Sequence, residues 1–89
     1  MSPGKASPGQ DWTTEPLRRH TGAMGAVEWV GATASYFWFG PGSGLQLSIG
    51  EDRRNCSPID HPGANGTYDT RKQAEQAIEA FRAAARRAR

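Results

Sequence analysis

The 89-residue sequence predicts an α+β domain, with a three- or four-stranded antiparallel sheet and one C-terminal α-helix packed on one face. Two patterns predict this fold class. Apolar side chains alternate with polar or small ones within residues 26–50, which is typical of strands. The last twenty residues are rich in alanine and carry apolar side chains at helical spacing. Strands followed by a helix are typical of α+β folds.

The N-terminal residues 1–10, MSPGKASPGQ, are rich in Pro, Gly and Ser, and we predict that they form a disordered leader. Residues 11–89 then make one small domain. After the leader, Thr14, Pro16 and Gly22 suit the start and end of a short turn, and Trp12 offers an anchor for it.

The sheet is predicted as a three-stranded meander. Val27 and Trp29 alternate with more polar neighbours in its first strand, and the aromatic run YFWF forms the second. The glycine-rich connection GPGSG suits a hairpin loop and leads into the alternating segment LQLSIG. Thr67 and Tyr68, after an Asn-Gly turn, would add a very short further strand.

The helix is predicted over the C-terminal segment TRKQAEQAIEAFRAAARRAR. Thr70 and Gln73 have the spacing of a capping box, which marks the start of a helix. Small apolar side chains let the helix lie close to one face of the sheet. The stripe that would do so consists of Ala74, Ala77, Ile78, Phe81, Ala85 and Ala88.

Four consecutive aromatics, Tyr36 to Phe39, place large rings on both faces of the sheet, because successive side chains of a strand point to opposite sides. The helix can cover only one of these faces. We expect residues 12–17 to fold back over the other face. A second copy of the chain or a partner protein would shield it equally well, since exposed apolar surface commonly marks an interaction site.

Composition limits the setting. A single cysteine, Cys56, allows no intrachain disulfide, and no apolar run approaches the ~20 residues of a membrane span. We therefore predict a cytoplasmic protein that does not associate with membranes. Arg outnumbers Lys by nine to two, and Arg, Ala and Gly have GC-rich codons, which indicates a high-GC bacterium or its phage as the source.

Three groups of residues are candidate sites of chemistry, but none predicts an enzyme, a metal site or a cofactor. The glycines of GPGSG precede a strand, so they lack the helix N-terminus of a phosphate-binding loop. The possible zinc or nucleophile group matches no known ligand spacing, and the adjacent carboxylates read as a solvated turn. The possible zinc or nucleophile group consists of Cys56, Asp60, His61 and His20. The adjacent carboxylates are Glu51 and Asp52.

Positive charge is concentrated at the C-terminal end. The segment 70–89 has six basic and two acidic residues, and the rest of the chain has five basic and seven acidic ones. Basic groups near a helix C-terminus complement the helix dipole, and the same groups could contact nucleic-acid phosphates. The candidates for such contacts are Arg71, Lys72, Arg82, Arg86, Arg87 and Arg89.

The entry into the helix, GTYDTRKQAEQAIEAF, resembles the arm-type DNA-binding domains of phage-like tyrosine integrases. Their Gly–aromatic–Thr–x–x–x–Ala pattern is matched by Gly66, Tyr68, Thr70 and Ala74. The same segment is similar to the last helix of double-stranded-RNA-binding domains. The resemblance covers about twenty residues and implies a strand–strand–strand–helix fold. Arm-type domains read DNA with the sheet, but the sheet predicted here has no Lys or Arg between residues 22 and 51.

An aromatic sheet without cations suits a protein partner better than a phosphate backbone. We therefore predict a small non-enzymatic protein-binding module, of phage or mobile-element origin, that acts on a host protein and could also form a homodimer. Its predicted binding residues are Trp29, Tyr36 and Trp38. The alternative is a nucleic-acid-binding module that uses the basic C-terminal helix.

Overall fold

A computed structural model describes residues 11–50 and 55–88. The described residues form an antiparallel sheet of five strands and one α-helix, with a short 3₁₀ turn at Ala23–Gly25. The α+β fold with a helix packed on a sheet is therefore confirmed. The elements are β1 (Arg18–Thr21), β2 (Val27–Val30), β3 (Ala34–Trp38), β4 (Leu45–Ile49), β5 (Ser57–Pro58) and α1 (Arg71–Arg87).

The five strands follow one another in space as they do in sequence, in the order β1-β2-β3-β4-β5. Trp29 lies opposite Tyr36 in the β2–β3 pair, and Tyr36 lies opposite Leu47 in the β3–β4 pair. The three strands predicted within residues 26–50 are thus present. Two short strands, β1 and β5, enlarge the predicted three- or four-stranded sheet to five. Tyr68 forms a single antiparallel bridge with Ser43 where a very short strand was predicted.

The helix begins with the predicted capping box. The Thr70 hydroxyl accepts a hydrogen bond from the Gln73 backbone N–H at 3.2 Å, and the Gln73 side chain accepts one from the Thr70 N–H at 3.1 Å. Ala74, Ala77 and Ile78 bury the stripe against the sheet. One turn further on, Phe81 lies 6.4 Å from Tyr36 between ring centroids. The hydrophobic core therefore lies between α1 and one face of the sheet.

Residues 12–17 pack on the helix side of the sheet, not on the opposite face as predicted. The Trp12 ring lies 5.8 Å from the Phe81 ring, and the Glu15 carboxylate accepts hydrogen bonds from the backbone N–H groups of Thr33 and Ala34 at 2.9 and 2.8 Å. The correction has a physical cause. Glu15 is only 2% exposed, and the β2–β3 turn supplies the donors that a buried carboxylate requires.

The sheet face opposite the helix, called the open face here, carries the alternate residues of each strand. On it, Arg18 and His20 of β1 and Pro58 of β5 are exposed, and Phe37 is half-buried. The side-chain hydrogen bonds from the sheet to α1 start from Arg19 and Trp29, which lie on the other face. The helix does not cover the open face, but Ser35 and Ser48, which lie opposite each other on it, are buried.

No helix in the described part of the chain is long and apolar enough to cross a bilayer. The predicted leader at residues 1–10 and the carboxylates Glu51 and Asp52 lie outside the described residues.

Candidate docking surface

The three aromatics predicted to bind a partner are core residues. Trp29, Tyr36 and Trp38 are 5%, 0% and 4% exposed. All three lie on the helix side, where the Trp29 Nε1–H donates to Glu75 Oε2 at 3.0 Å and the Trp38 Nε1–H donates to the Tyr68 carbonyl at 3.0 Å. Contact of these residues with a partner stays a prediction, but their side chains supply no exposed surface. The exposed apolar surface is formed by other residues.

Tyr36 has an unusual environment even for the core. Among the described residues, neither its hydroxyl nor the Arg82 Nε–H has a hydrogen-bond partner. Burial raises the pKa of Tyr36 well above its ordinary value of 10, and the positive charge of Arg82 only partly opposes this rise. The phenol therefore stays neutral at physiological pH and acts as an apolar side chain.

The aromatic surface that remains accessible comes from Phe37 and Phe39. The two residues are two positions apart and so extend to the same side, away from Tyr36 and Trp38. Phe37 is half-buried on the open face, and Phe39 is 55% exposed where β3 ends. Phe39 also lines a shallow depression together with Gln46 and Pro58. The prediction that two of the four aromatics face away from the helix is thus confirmed, and they are the two phenylalanines.

Met24 adds a fully exposed apolar side chain at the same end of the sheet. It is 99% exposed and lies in the turn between β1 and β2. Its backbone is left-handed, with φ 60° and ψ 29°, which costs a residue other than glycine roughly 1–2 kcal/mol. A Cβ placed on Gly40 would lie 3.9 Å from the Met24 carbonyl oxygen, so this turn adjoins the residue after Phe39. We call Met24, Phe37 and Phe39 the apolar tip.

The basic helix residues fall into two groups with different roles. Arg82 donates to the backbone carbonyls of Trp12 and Glu15, and Arg86 donates to the Thr13 carbonyl at 2.8 Å. These two arginines hold residues 12–15 against the helix. The other described candidates, which lie at the two ends of the helix and are exposed, are Arg71, Lys72 and Arg87. Arg89 lies outside the described residues.

Acidic residues interrupt the basic side of the helix. At 3.6 residues per turn, Glu75 and Glu79 project from the same side as Arg71 and Arg82. The first and last turns of this 17-residue helix are also separated by roughly 24 Å. The helix therefore presents two separate exposed basic groups.

The other predicted motifs are structural. The glycines of GPGSG form the β3–β4 hairpin, where Gly40 and Gly42 have positive φ angles of 105° and 84°. His61 packs its ring 5.6 Å from Phe81, and its Nδ1 accepts from the Gly63 N–H, whereas His20 is exposed on β1. Within the residues that the structure describes, no group of acidic, His and Cys side chains is arranged to hold a metal ion.

Sequence reasoning missed two features of this surface. Met24 is not a typical turn residue, so nothing in its neighbourhood signals a left-handed backbone. The register of the β2–β3 hairpin would have distinguished the buried aromatics from the accessible ones. In this register the Gly31 N–H donates to the Ala34 carbonyl at 2.8 Å, which places Trp29 opposite Tyr36.

The sheet also carries basic residues that the predicted meander lacked. Arg18, Arg19 and His20 belong to β1. Arg18 and His20 lie on the open face, and Arg19 points to the helix side, where it pairs with Glu75 at 3.3 Å.

Comparison of the chain with protein-family models, with curated proteins and with solved structures returned no match in any of the three.

Proposed function

We propose that this chain is a small non-enzymatic protein-binding module that docks through the apolar tip. The observation that carries the proposal is the exposure of Met24, at 99%, next to Phe39, at 55%. Single exposed apolar residues are common on protein surfaces. Here, two large ones lie at the same end of the sheet, and the backbone of Met24 has a conformation that costs stability. Strained residues that persist in a fold often mark sites of function.

The charge around the tip supports a protein partner. Between residues 22 and 51 the chain has no Lys or Arg, so the tip lacks its own cations for nucleic-acid phosphates. Exposed Phe and Met side chains are enriched at the centres of protein interfaces. We further propose that the partner is a host protein and that the module belongs to a phage or mobile element of a high-GC bacterium. The basis is the abundance of Arg, Ala and Gly, which have GC-rich codons, and the resemblance in residues 66–81.

Capture of partners from a bacterial lysate, with and without nuclease, tests this proposal. Immobilised wild-type protein should retain a protein partner after nuclease treatment. Met24→Gly and Phe39→Ser should lose it, because buried apolar anchors commonly carry ~2 kcal/mol or more at an interface. Ile49→Ser is the matched control, since Ile49 is 51% exposed but lies at the opposite end of β4.

Met24→Gly separates binding from folding. Glycine relieves the left-handed backbone, so thermal stability should be unchanged or higher by up to about 1 kcal/mol while capture is lost. Retention of the partner by both tip variants, or loss of the partner on nuclease treatment of the wild type, would contradict docking through the tip.

Nucleic-acid binding is the second candidate, and the position of β1 favours it. Arg18 places positive charge on the open face, which is the face that arm-type domains would use according to the resemblance. The exposed residues Arg71, Lys72 and Arg87 could add phosphate contacts. We rank this candidate second because two of the helix arginines bind the N-terminal segment and two glutamates interrupt the rest.

A further inference from the structure

The two edges of the sheet differ in their ability to accept another strand. At the β5 edge, Ile59 N–H donates to the Leu45 carbonyl at 3.1 Å, so Ile59 and Ser57 direct their backbone groups toward β4. Pro58, between them, is directed outward and has no N–H to donate. A strand of two residues that ends in proline is therefore a poor edge for pairing with another strand.

At the β1 edge, backbone donors and acceptors are unpaired as far as the described residues are concerned. Gly22 N–H donates to the Ala26 carbonyl at 2.7 Å, and the alternation of an antiparallel pair then directs His20 and Arg18 toward β2. Arg19 and Thr21 direct their N–H and C=O groups outward. All four residues of β1 are exposed, and no other described strand pairs with this edge. The edge therefore offers two N–H donors and two C=O acceptors, spaced so that another extended chain can form hydrogen bonds with them.

Two side chains on this edge, those of Arg18 and Arg19, are cationic. Arg18 and His20 project to one side of β1 and Arg19 to the other, so an added strand would meet positive charge on both faces. Arg18 forms no ion pair with a described residue. Arg19 shares Glu75 with Trp29, and His20 lies opposite Glu28 of β2. The Arg19–Glu75 pair joins side chains that are 45% and 38% exposed, so solvent screens it and leaves Arg19 able to bind another carboxylate.

The same charges disfavour pairing between two copies of β1. An antiparallel register centred on Arg19 would place Arg19 opposite Arg19 and Arg18 opposite His20. Like charges directly opposite one another destabilise a strand pair, whereas opposite charges contribute roughly 0.2–1 kcal/mol per pair. Positive charge on this edge therefore disfavours this self-pairing and favours acidic strands as partners.

We propose that the β1 edge pairs with an extended acidic segment of a partner protein, which adds a sixth strand to the sheet. A nucleic-acid backbone fits this edge less well, because phosphates accept hydrogen bonds and leave the outward carbonyls of Arg19 and Thr21 unpaired. The inference shares only the class of partner with the proposed function. Its surface is separate from the apolar tip, so either can fail alone.

A designed peptide tests the pairing without knowledge of the natural partner. The probe is fluorescein-labelled Glu-Val-Glu-Val-Glu-Val with blocked ends, titrated into the full chain and followed by anisotropy and by amide exchange. We expect it to bind at least tenfold more tightly than the peptide with Lys in place of Glu, and to protect the amides of Arg19 and Thr21. Methylation of every backbone nitrogen of the probe should abolish binding, because it removes the strand hydrogen bonds and keeps the charge.

Matched variants locate the site on the protein. Thr21→Pro removes an outward N–H without breaking the β1–β2 ladder, so it should weaken peptide binding about tenfold while the chain stays folded. Arg18→Glu should weaken binding by a similar factor through charge alone. Arg87→Glu reverses an exposed charge at the far end of the helix and should leave the affinity within twofold.

Several results would each overturn the proposal. These are no binding of the Glu peptide at about 1 mM, equal binding of the fully methylated peptide, a concentration-dependent dimer that protects the β1 amides, or a labelled DNA duplex that protects those amides at lower concentration than the peptide does. Loss of peptide binding in Met24→Gly would also contradict it, because that variant leaves the β1 edge unchanged.

Discussion

Tyr36 holds a phenol hydroxyl in the core with no hydrogen-bond partner among the described residues. A buried hydroxyl without a partner costs the free energy of its lost hydration, so its removal should not destabilise the fold. We expect Tyr36→Phe to leave the free energy of unfolding unchanged or to raise it by up to about 1 kcal/mol, as measured by urea denaturation. A loss of more than about 1 kcal/mol would show that the hydroxyl makes a stabilising hydrogen bond.

The same pair of proteins gives a pH test. Burial holds the pKa of Tyr36 above 10 in the folded state, while the unfolded residue ionises near 10. The wild type should therefore keep its full stability below pH 10 and lose about 1.4 kcal/mol per pH unit above it, relative to Tyr36→Phe. Every other titrating group is common to both proteins. Parallel stability curves from pH 9 to 11 would contradict the assigned burial.

At the scale of the elements, Glu15 joins the N-terminal segment to the β2–β3 turn. Gly31 lies directly beside the Glu15 carboxylate, because a Cβ on Gly31 would overlap with that carboxylate. We expect Gly31→Ala to displace this carboxylate from the Thr33 and Ala34 N–H groups and to cost about 2 kcal/mol or more. Thermal or urea denaturation measures the loss.

Two controls make this prediction specific. Gly22→Ala adds the same methyl group where a Cβ meets only ordinary contacts, 3.7 Å from the Ala26 carbonyl, and should be close to neutral. In a Glu15→Ala background, Gly31→Ala should cost little, because the group it displaces is gone. If the two substitutions are additive, the contact between Glu15 and Gly31 does not support the turn.

The elements that the sequence predicted are those with a strong local pattern. The helix has a capping box at Thr70 and an apolar stripe, and β2 to β4 have alternating or aromatic segments. β1 could not be predicted in this way, because RRHT is exposed on all four side chains and so carries no alternation. β5 has only two residues and includes proline.

The candidate site was less accessible to sequence reasoning than the fold. The aromatic run YFWF showed that two rings face each way, but only the register of the hairpin decides that Tyr36 and Trp38 face the helix. The structural roles of Arg82 and Arg86 depend on backbone carbonyls about seventy residues away in the chain. No local pattern encodes such contacts, so both arginines were predicted as phosphate ligands.

At the scale of the whole molecule, charge and apolar surface occupy different places. The apolar tip lies at the end of the sheet where the β1–β2 and β3–β4 hairpins turn, and the exposed cations lie on β1 and at the two ends of the helix. This separation supports our central proposal, the claim that the chain binds a protein through the apolar tip and does not bind nucleic-acid phosphate. Arg82 and Arg86 must be left intact in any test of the claim, since they hold the N-terminal segment in place.

Titration of a labelled DNA duplex near physiological salt tests that claim most directly. The wild type should bind no more tightly than about 1 μM, which is the tight end of the usual non-specific range. The triple variant Arg71→Gln, Lys72→Gln, Arg87→Gln should keep its fold and change this weak affinity little. Submicromolar binding by the wild type that is lost in the triple variant would contradict the claim. If the slope of log affinity against log salt concentration also falls by up to about three units, the helix binds phosphate instead.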